Sequence, residues 1–468
     1  MLKKSWGLWA TAAVALATTA SPAFGDSIER ALVQAYQNNP QVNAQRAALR
    51  ATDENVPQAL SGYRPRISAT GSYGALYTDS TSVISSSTAG GRSVTSRSQG
   101  WVDPKTVGAT LTQTLYNGFQ TGNRTRQAEA QVFAARETLR VIEQTVLLDA
   151  VTSYMNLLRD NAILDLQKRN VEVIQEQLRQ TRDRFNVGEV TRTDVAQAES
   201  RVAAAQSQML AAQANQNTSR AAYRRVIGVE AGRLSPGTPV DRLSPRTLDL
   251  AVAQGQAESP SVGAAEYGVD VAALQVKVSE GALYPTVTVS ASAQKTWDSS
   301  LSSIESFQGS VIGQMTVPIY QGGAEFSTIR QSKETLGQRR LELALNRDQA
   351  RANVVQTWGQ LDAAKAQITA TQAQVAAAEI ALNGVREEAR VGQRTTLDVL
   401  NAQQELVNAR VALVTAQRDR VVASYSLLAA AGRLSVAVLG LQVPIYDPMT
   451  HYQQVRDSWF GVRTPDGR

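Results

Sequence analysis

Two short segments hold most of the residues whose type and spacing could do chemistry. Asn186-Val-Gly188-Glu-Val-Thr-Arg-Thr-Asp194-Val195 and Arg390-Val-Gly392-Gln-Arg394-Thr-Thr-Leu-Asp398-Val399 each place a Val-Gly pair shortly before an aspartate that opens a helical run. Asp194 and Asp398 fit two readings: a cap for unpaired backbone N–H groups, or a cap that also links to another part of the molecule. Gly188 and Gly392 suit the positive φ of a tight turn. Arg394 is either a solvated surface charge or a partner for one of those carboxylates. Such groups can cap, hinge and link, but they do not break covalent bonds.

The rest of the composition points away from catalysis. The chain has 468 residues, one histidine (His451) and no cysteine. Thiol nucleophiles, thiolate zinc sites and histidine-rich metal centres are therefore unavailable, and the sequence reads as a non-enzyme with no cofactor and no metal. Lys and Arg number 47 against 41 Asp and Glu, a formal charge of +6 that would fall by two on loss of Lys3 and Lys4. That excess is too thin for a nucleic-acid partner.

The N-terminus reads as a secretory signal peptide over residues 1–25. Lys3 and Lys4 precede an apolar stretch from Trp6 to Ala17, and small residues end at Ala23-Phe24-Gly25. The apolar stretch is shorter than the ~20 residues of a membrane-crossing helix. Without cysteine, the leader is not expected to end in a lipidated residue.

What must position the two turns is one unit written twice. Leu111-Thr-Gln-Thr-Leu-Tyr116-Asn-Gly118 corresponds to Met315-Thr-Val-Pro-Ile-Tyr320-Gln-Gly322. The same displacement carries Gly188 to Gly392, Asp194 to Asp398 and Gly228 to Gly432. The expected organisation is a first repeat over 26–233, a linker over 234–247, a second repeat over 248–434 and a tail over 435–468. Chance similarity between alanine-rich helices would not hold register through these glycines and aspartates.

Each repeat predicts the same elements. A helical segment runs from Ile28 to about Leu60, and again from Leu248 to about Ala282, through an Asn-Pro or Ser-Pro break. Two strands follow. Ile67, Ala69, Gly71, Tyr73, Ala75 and Tyr77 alternate with Ser68, Thr70, Ser72 and Gly74, and Val107, Ala109, Leu111 and Leu115 oppose Thr110, Thr112 and Thr114. In the second repeat Val287, Val289, Ala291 and Ala293 alternate with Thr288, Ser290 and Ser292, and the partner strand sets Phe307, Val311, Met315, Val317 and Ile319 against Gln308, Ser310, Gln314 and Thr316. These runs match the ~9–11 residues of a tilted transmembrane strand. The Ser/Thr/Gly-rich stretches 79–100 and 298–306 are expected to be exposed loops. From about Gln120 to Phe185, and from about Ala324 to Arg390, the chain lacks proline and is poor in glycine, which predicts helices ~100 Å long. Return helices are expected over Asp194 to Val226 and Asp398 to Ala431. The tail with His451 is expected to pack around the middle of the helices.

Four membrane strands per chain cannot close on themselves, and open edges are not tolerated in lipid. A dimer's eight strands would leave a filled interior, whereas a trimer's twelve leave room for water beside the polar strand faces. A homotrimer is the expected state.

The duplicated order and the paired Val-Gly…Asp-Val turns resemble the TolC family of outer-membrane efflux and secretion ducts, from about Ile28 to Leu434. The resemblance implies an α+β membrane protein: a trimeric twelve-stranded outer-membrane β-barrel, continued by a long periplasmic α-helical barrel. It implies the outer membrane of a Gram-negative bacterium. The implied function is an exit duct for tripartite efflux or type I secretion, with a periplasmic adaptor and an inner-membrane transporter of ABC or RND type. It makes Val187, Gly188, Val391 and Gly392 adaptor-docking turns, and places Asp194, Arg394, Asp398 and Asn401 at the periplasmic gate. Arg394 would bond near Asp194, and Asp398 would add a carboxylate ring. Two positions depart from the family pattern: Ala389 stands where the family has a gating tyrosine, and Asn401 where it has an aspartate. A secreted or periplasmic coiled-coil structural protein or adhesin would account for the helices but leaves the membrane-length strands unexplained.

Overall fold

The computed structural model describes residues 26–85 and 93–467; the expected signal peptide lies outside them. Three helices open the first repeat: α1 (Ile28–Asn38), α2 (Pro40–Asp53) and α3 (Asn55–Leu60). Four strands follow, β1 (Arg66–Tyr73), β2 (Leu76–Ser85), β3 (Ser93–Val102) and β4 (Lys105–Asn117), then α4 (Gln120–Asn186) and α5 (Arg192–Ile227). The second repeat runs α6 (Leu248–Glu258), α7 (Pro260–Gly281), β5 (Thr286–Ser300), β6 (Ser303–Thr316), α8 (Ala324–Arg390) and α9 (Thr396–Ala430). A short α10 (Pro448–Val455) lies in the tail.

The α1–α2 break comes from Asn39. Its Oδ1 accepts from the Gln41 N–H at 2.8 Å, capping α2, while its Nδ2 donates to the Val226 carbonyl at 2.8 Å. Pro40 follows at the first helical position, where no N–H is needed.

Four strands form one antiparallel sheet in the order β1-β4-β5-β6. Directly paired residues share a face, so the register sorts the sheet. Ile67–Leu111–Ala291–Val311, Ala69–Ala109–Ala293–Gly309 and Gly71–Val107–Lys295–Phe307 lie on one side. Ser68–Thr110–Ser292–Ser310, Thr70–Gly108–Gln294–Gln308 and Ser72–Thr106–Thr296–Ser306 lie on the other. One face is thus apolar over most of its height, and it ends at a rim of Tyr73, Lys105, Trp297 and Glu305. At that rim Lys295 pairs with Glu305 at 3.2 Å and Lys105 with Asp298 at 3.5 Å. From Glu305 to Met315 the strand advances roughly 33 Å, or about 24 Å once tilted, close to the height of an outer-membrane apolar band. Among the described residues β1 and β6 have no outer neighbour in the sheet.

The stretches expected to be loops need correction. Residues 79–100 are largely hairpin: β2 pairs with β3 from Leu76–Val102 out to Ser85–Ser93, beyond the four-stranded sheet. Likewise β5 and β6 run through 298–306 and leave only Leu301 and Ser302 between them. Serine and threonine on both faces remove the apolar signal of a strand without removing its backbone pairing, and threonine favours extended backbone.

The helices α4 and α8 are each 67 residues long. Before α4, Gly118 and Phe119 take φ of 62° and 61°; before α8, Gly322 and Gly323 take 71° and 84°. These left-handed pairs turn the chain from strand into helix. α4 packs with α5, and α8 with α9, as two coils. The main core sits at mid-length, where Leu32, Tyr154, Leu157, Tyr223, Ile227 and Leu428 are fully buried. There the Tyr154 hydroxyl lies 2.6 Å from both the Asp26 and Ser235 carbonyls, joining the start of the described chain to the inter-repeat segment.

Candidate functional site

Both turns are built alike because both sequences place glycine two residues past the helix end. Gly188 (φ 84°) donates to the Phe185 carbonyl at 3.0 Å, and the Glu189 N–H reaches back to the Arg184 carbonyl at 2.9 Å. Gly392 (φ 80°) donates to Ala389 at 3.2 Å, and Gln393 to Glu388 at 2.9 Å. This pair of bonds closes the carbonyl end of a helix around a left-handed residue, a geometry that glycine enters without strain. Val187 and Val391 consequently stand out, 74% and 71% exposed.

The chain then re-enters helix through matched capping boxes. Asp194 Oδ2 accepts from the Thr191 N–H at 2.9 Å and from its hydroxyl at 2.7 Å. Asp398 Oδ2 accepts from the Thr395 N–H at 3.0 Å and its hydroxyl at 2.9 Å. The threonine oxygens accept in return from the aspartate N–H groups. The Thr191 hydroxyl, then its N–H, holds Asp194 below the usual carboxylate range; for Asp398 the Thr395 N–H leads, then its hydroxyl.

The expected bond between Arg394 and Asp194 is not made within the chain. Arg394 Nε donates to Glu388 at 2.8 Å inside its own turn, and Arg184 does the same with Glu189 at 2.8 Å. Each turn thus satisfies its own charges locally, and Asp194 is spent on its cap. Arg179 and Arg182 pair with Glu176 and Glu199 and remain exposed. Ala389 packs at the margin of a small cluster formed by Leu382, Val399 and Leu406.

Arg201 and Leu400, unremarkable in the sequence, gain a role. Asn401 accepts at 2.7 Å from Arg201 of α5. Beside it Leu400, only 2% exposed, is buried in the other coil's cluster of Val171, Ile174, Ala198 and Ala205. The small residues at 198 and 205, seven apart on one helix face, were the available signal for a seat, though not for its occupant. Between the coils near the turns lies a groove of about 970 Å³, lined by Glu172, Glu176, Arg184, Arg386, Arg390 and Val399 among others. Among the described residues, no group of three His, Asp or Glu side chains is placed to hold a metal.

Comparison with known proteins follows the same outline. The family model described as outer membrane efflux protein matches residues 31–229 and 251–433. The chain is 43% identical over 459 residues to outer membrane efflux protein BepC of Brucella suis biovar 1, covering 96% of this chain and 95% of that protein. It is 24% identical over 430 residues to outer membrane protein TolC of Escherichia coli, covering 86% and 82%. Among solved structures, the outer membrane protein VceC of Vibrio cholerae superposes with a TM-score of 0.71 at 19% identity, covering 86% of this chain and 96% of that one.

Proposed function

This chain belongs to the outer membrane efflux protein family, and on that premise we propose that three copies form an outer-membrane exit duct for efflux or type I secretion. The observation that carries this reading is the sheet: four strands, one apolar face, and two edges without partners among the described residues. Lipid covers the apolar face, and neighbouring copies pair with the β1 and β6 edges. Closure is required because unpaired backbone groups in hydrocarbon cost several kcal/mol each. Three copies give twelve strands, wide enough for water beside the Ser, Thr and Gln face. The helices of ~100 Å then carry the channel away from the membrane into the periplasm.

The exposed Val187-Gly188 and Val391-Gly392 turns serve as docking points for a periplasmic adaptor, which connects the duct to an inner-membrane transporter of ABC or RND type. Asp194, Arg394, Asp398 and Asn401 belong to the periplasmic gate. With Asp194, Arg394 and Asp398 each satisfied inside their own turns, their share is to stiffen the tips, and the capped Asp398 carboxylates add negative potential around the narrow end. The family is one of transport proteins, and the turns offer caps and ion pairs rather than a catalytic constellation. The Tyr154 hydroxyl bonds and the Asp26–Leu234 bridge tie the 234–247 linker to the first repeat, and the Tyr446 N–H donating to the Tyr36 hydroxyl ties the 435–468 tail to it.

Reconstitution in planar bilayers tests the reading. Discrete, stable single-channel steps are expected from the purified protein. A protein that partitions into the aqueous phase after detergent lysis and gives no steps would favour a periplasmic coiled-coil role.

A further inference from the structure

We infer that the loop 458–462 of the C-terminal tail is a membrane-interface anchor, seating Trp459, Phe460 and Val462 among the phospholipids of the periplasmic leaflet. This rests on the sheet lying in the outer membrane. The stem of the tail is packed against protein. His451 and Val455 of α10 are buried, and Tyr452 packs on Val56 of α3 and on Ala128 and Val132 of α4. Arg456 then donates to Glu129 of α4 at 3.4 Å. Beyond it the pattern inverts: Trp459 is 65% exposed, Phe460 92% and Val462 100%. Gly461 supplies a φ of 122° between the last two, which glycine takes without strain. Asp466 returns to Arg50 of α2 at 3.8 Å. Ion pairs thus hold both feet of the loop while its apolar tip stands clear.

The tip sits where the strands end. Arg64 donates to the Ser458 carbonyl at 2.6 Å, and its guanidinium lies 4.6 Å from the centre of the Trp459 ring. Arg64 is extended and stands two residues ahead of β1. The carbonyl of its neighbour Tyr63 accepts from the Gln113 side chain of β4 at 3.1 Å. Gln113 pairs with Val289, close to the Val287–Met315 pair at the foot of the apolar face. Trp459 is therefore held beside the periplasmic margin of that face. Tyr63 and Tyr284, both exposed, precede β1 and β5 at the same margin. Tryptophan and tyrosine gather at membrane interfaces because the ring is apolar and its N–H or O–H stays wet. Arg66 and Arg463 are exposed and match in charge the phosphates of phospholipid headgroups. Turned into a watery lumen, a tip of Trp, Phe and Val would gain no apolar contact. Placed at the margin, it gives each chain a hold on the membrane beside its strands.

The test uses the full chain in vesicles of phosphatidylethanolamine and phosphatidylglycerol, with or without added lipid carrying a nitroxide at its headgroup. Because the sequence has no cysteine, Val462→Cys introduces a single thiol for an environment-sensitive fluorophore. That label should emit at short wavelength and lose most of its emission when the nitroxide lipid is present. Adding Phe460→Asp should restore the emission, and a label on Leu210→Cys, exposed on α5, should be unaffected throughout. A label on Met315→Cys, at the foot of the apolar face, reports whether the sheet itself is in lipid. Quenching in Met315→Cys without quenching in Val462→Cys would overturn the anchor and leave the duct standing. Short-wavelength emission from Val462→Cys without quenching would also overturn it, by placing the tip against a neighbouring copy. No quenching in either variant would overturn the membrane sheet, and the anchor with it.

Discussion

Replacing His451 with alanine should loosen the C-terminal tail from α2, and the loosening should be greater at alkaline than at acid pH. His451 Nδ1 lies 2.9 Å from Asp53 Oδ2, and Asp53 is fully buried with its other carboxylate oxygen lacking any hydrogen bond. Burial pushes the Asp53 carboxyl up; the His451 hydrogen bond leads the opposing effects, with Arg136 and Arg50 behind it, and burial wins. A carboxyl raised in the fold contributes stability that is complete below the ordinary carboxylate range and is lost as pH rises through the raised value. His451 limits that loss, so its removal lifts the carboxyl further and leaves an ill-paired buried charge above that value. Breaking a buried pair costs about 3–5 kcal/mol, and the two nearby arginines reduce this to about 2–3. That corresponds to a rise of roughly 30- to 150-fold in tail opening. Amide hydrogen exchange of α10, corrected for intrinsic rates, should show it at pH 8 and show less as pH falls into the ordinary carboxylate range. In an Asp53→Asn background the effect of His451→Ala should be small and independent of pH. Equal protection of variant and natural protein at pH 8, or a penalty that grows in acid, would refute the reasoning.

Three further outcomes follow from the packing. Gly432 takes φ 77°, and a Cβ there would run into the Glu258 carbonyl; Gly432→Ala should therefore fail to give folded protein. Its repeat mate Gly228 (φ 88°) has only the Asn38 Cβ at 3.3 Å, and Gly228→Ala should cost about 1–2 kcal/mol in thermal unfolding followed by circular dichroism. On the sheet, Val311→Arg on the apolar face should lower folding into lipid bilayers by about 2–4 kcal/mol, whereas Ser292→Arg on the polar face should cost little. At the turns, Thr395→Ala should move the Asp398 titration upward, read by NMR; the cap stabilises α9 above the ordinary carboxylate range and is lost only as pH falls through the depressed value.

Much of the fold was legible because few physical signals decide it. Absence of proline over 120–186 and 324–390 leaves helix as the only way to satisfy so long a backbone, and the observed α4 and α8 end where Val-Gly was read as a turn. Asp194 and Asp398 were legible as caps because each sits three residues past a threonine. The β2–β3 hairpin was not, since its strands are polar on both faces. The α2–α3 break at Glu54 was hidden too, with no glycine or proline at the break itself. The Arg394–Asp194 link was expected from the resemblance, but Glu388 lies within the same turn and takes the guanidinium first. Arg201 and Leu400 show the limit most plainly. Their pairing depends on how two coils from opposite halves of the chain lie side by side, and no local period records that.

The central claim is that this chain is part of a duct that only other copies of itself complete. Native mass spectrometry of the purified protein released from detergent tests it most directly. Three chains per particle, stable on dilution, is the result this structure predicts. A persistent monomer or a dimer would contradict it, because four or eight strands leave no closed, water-filled barrel.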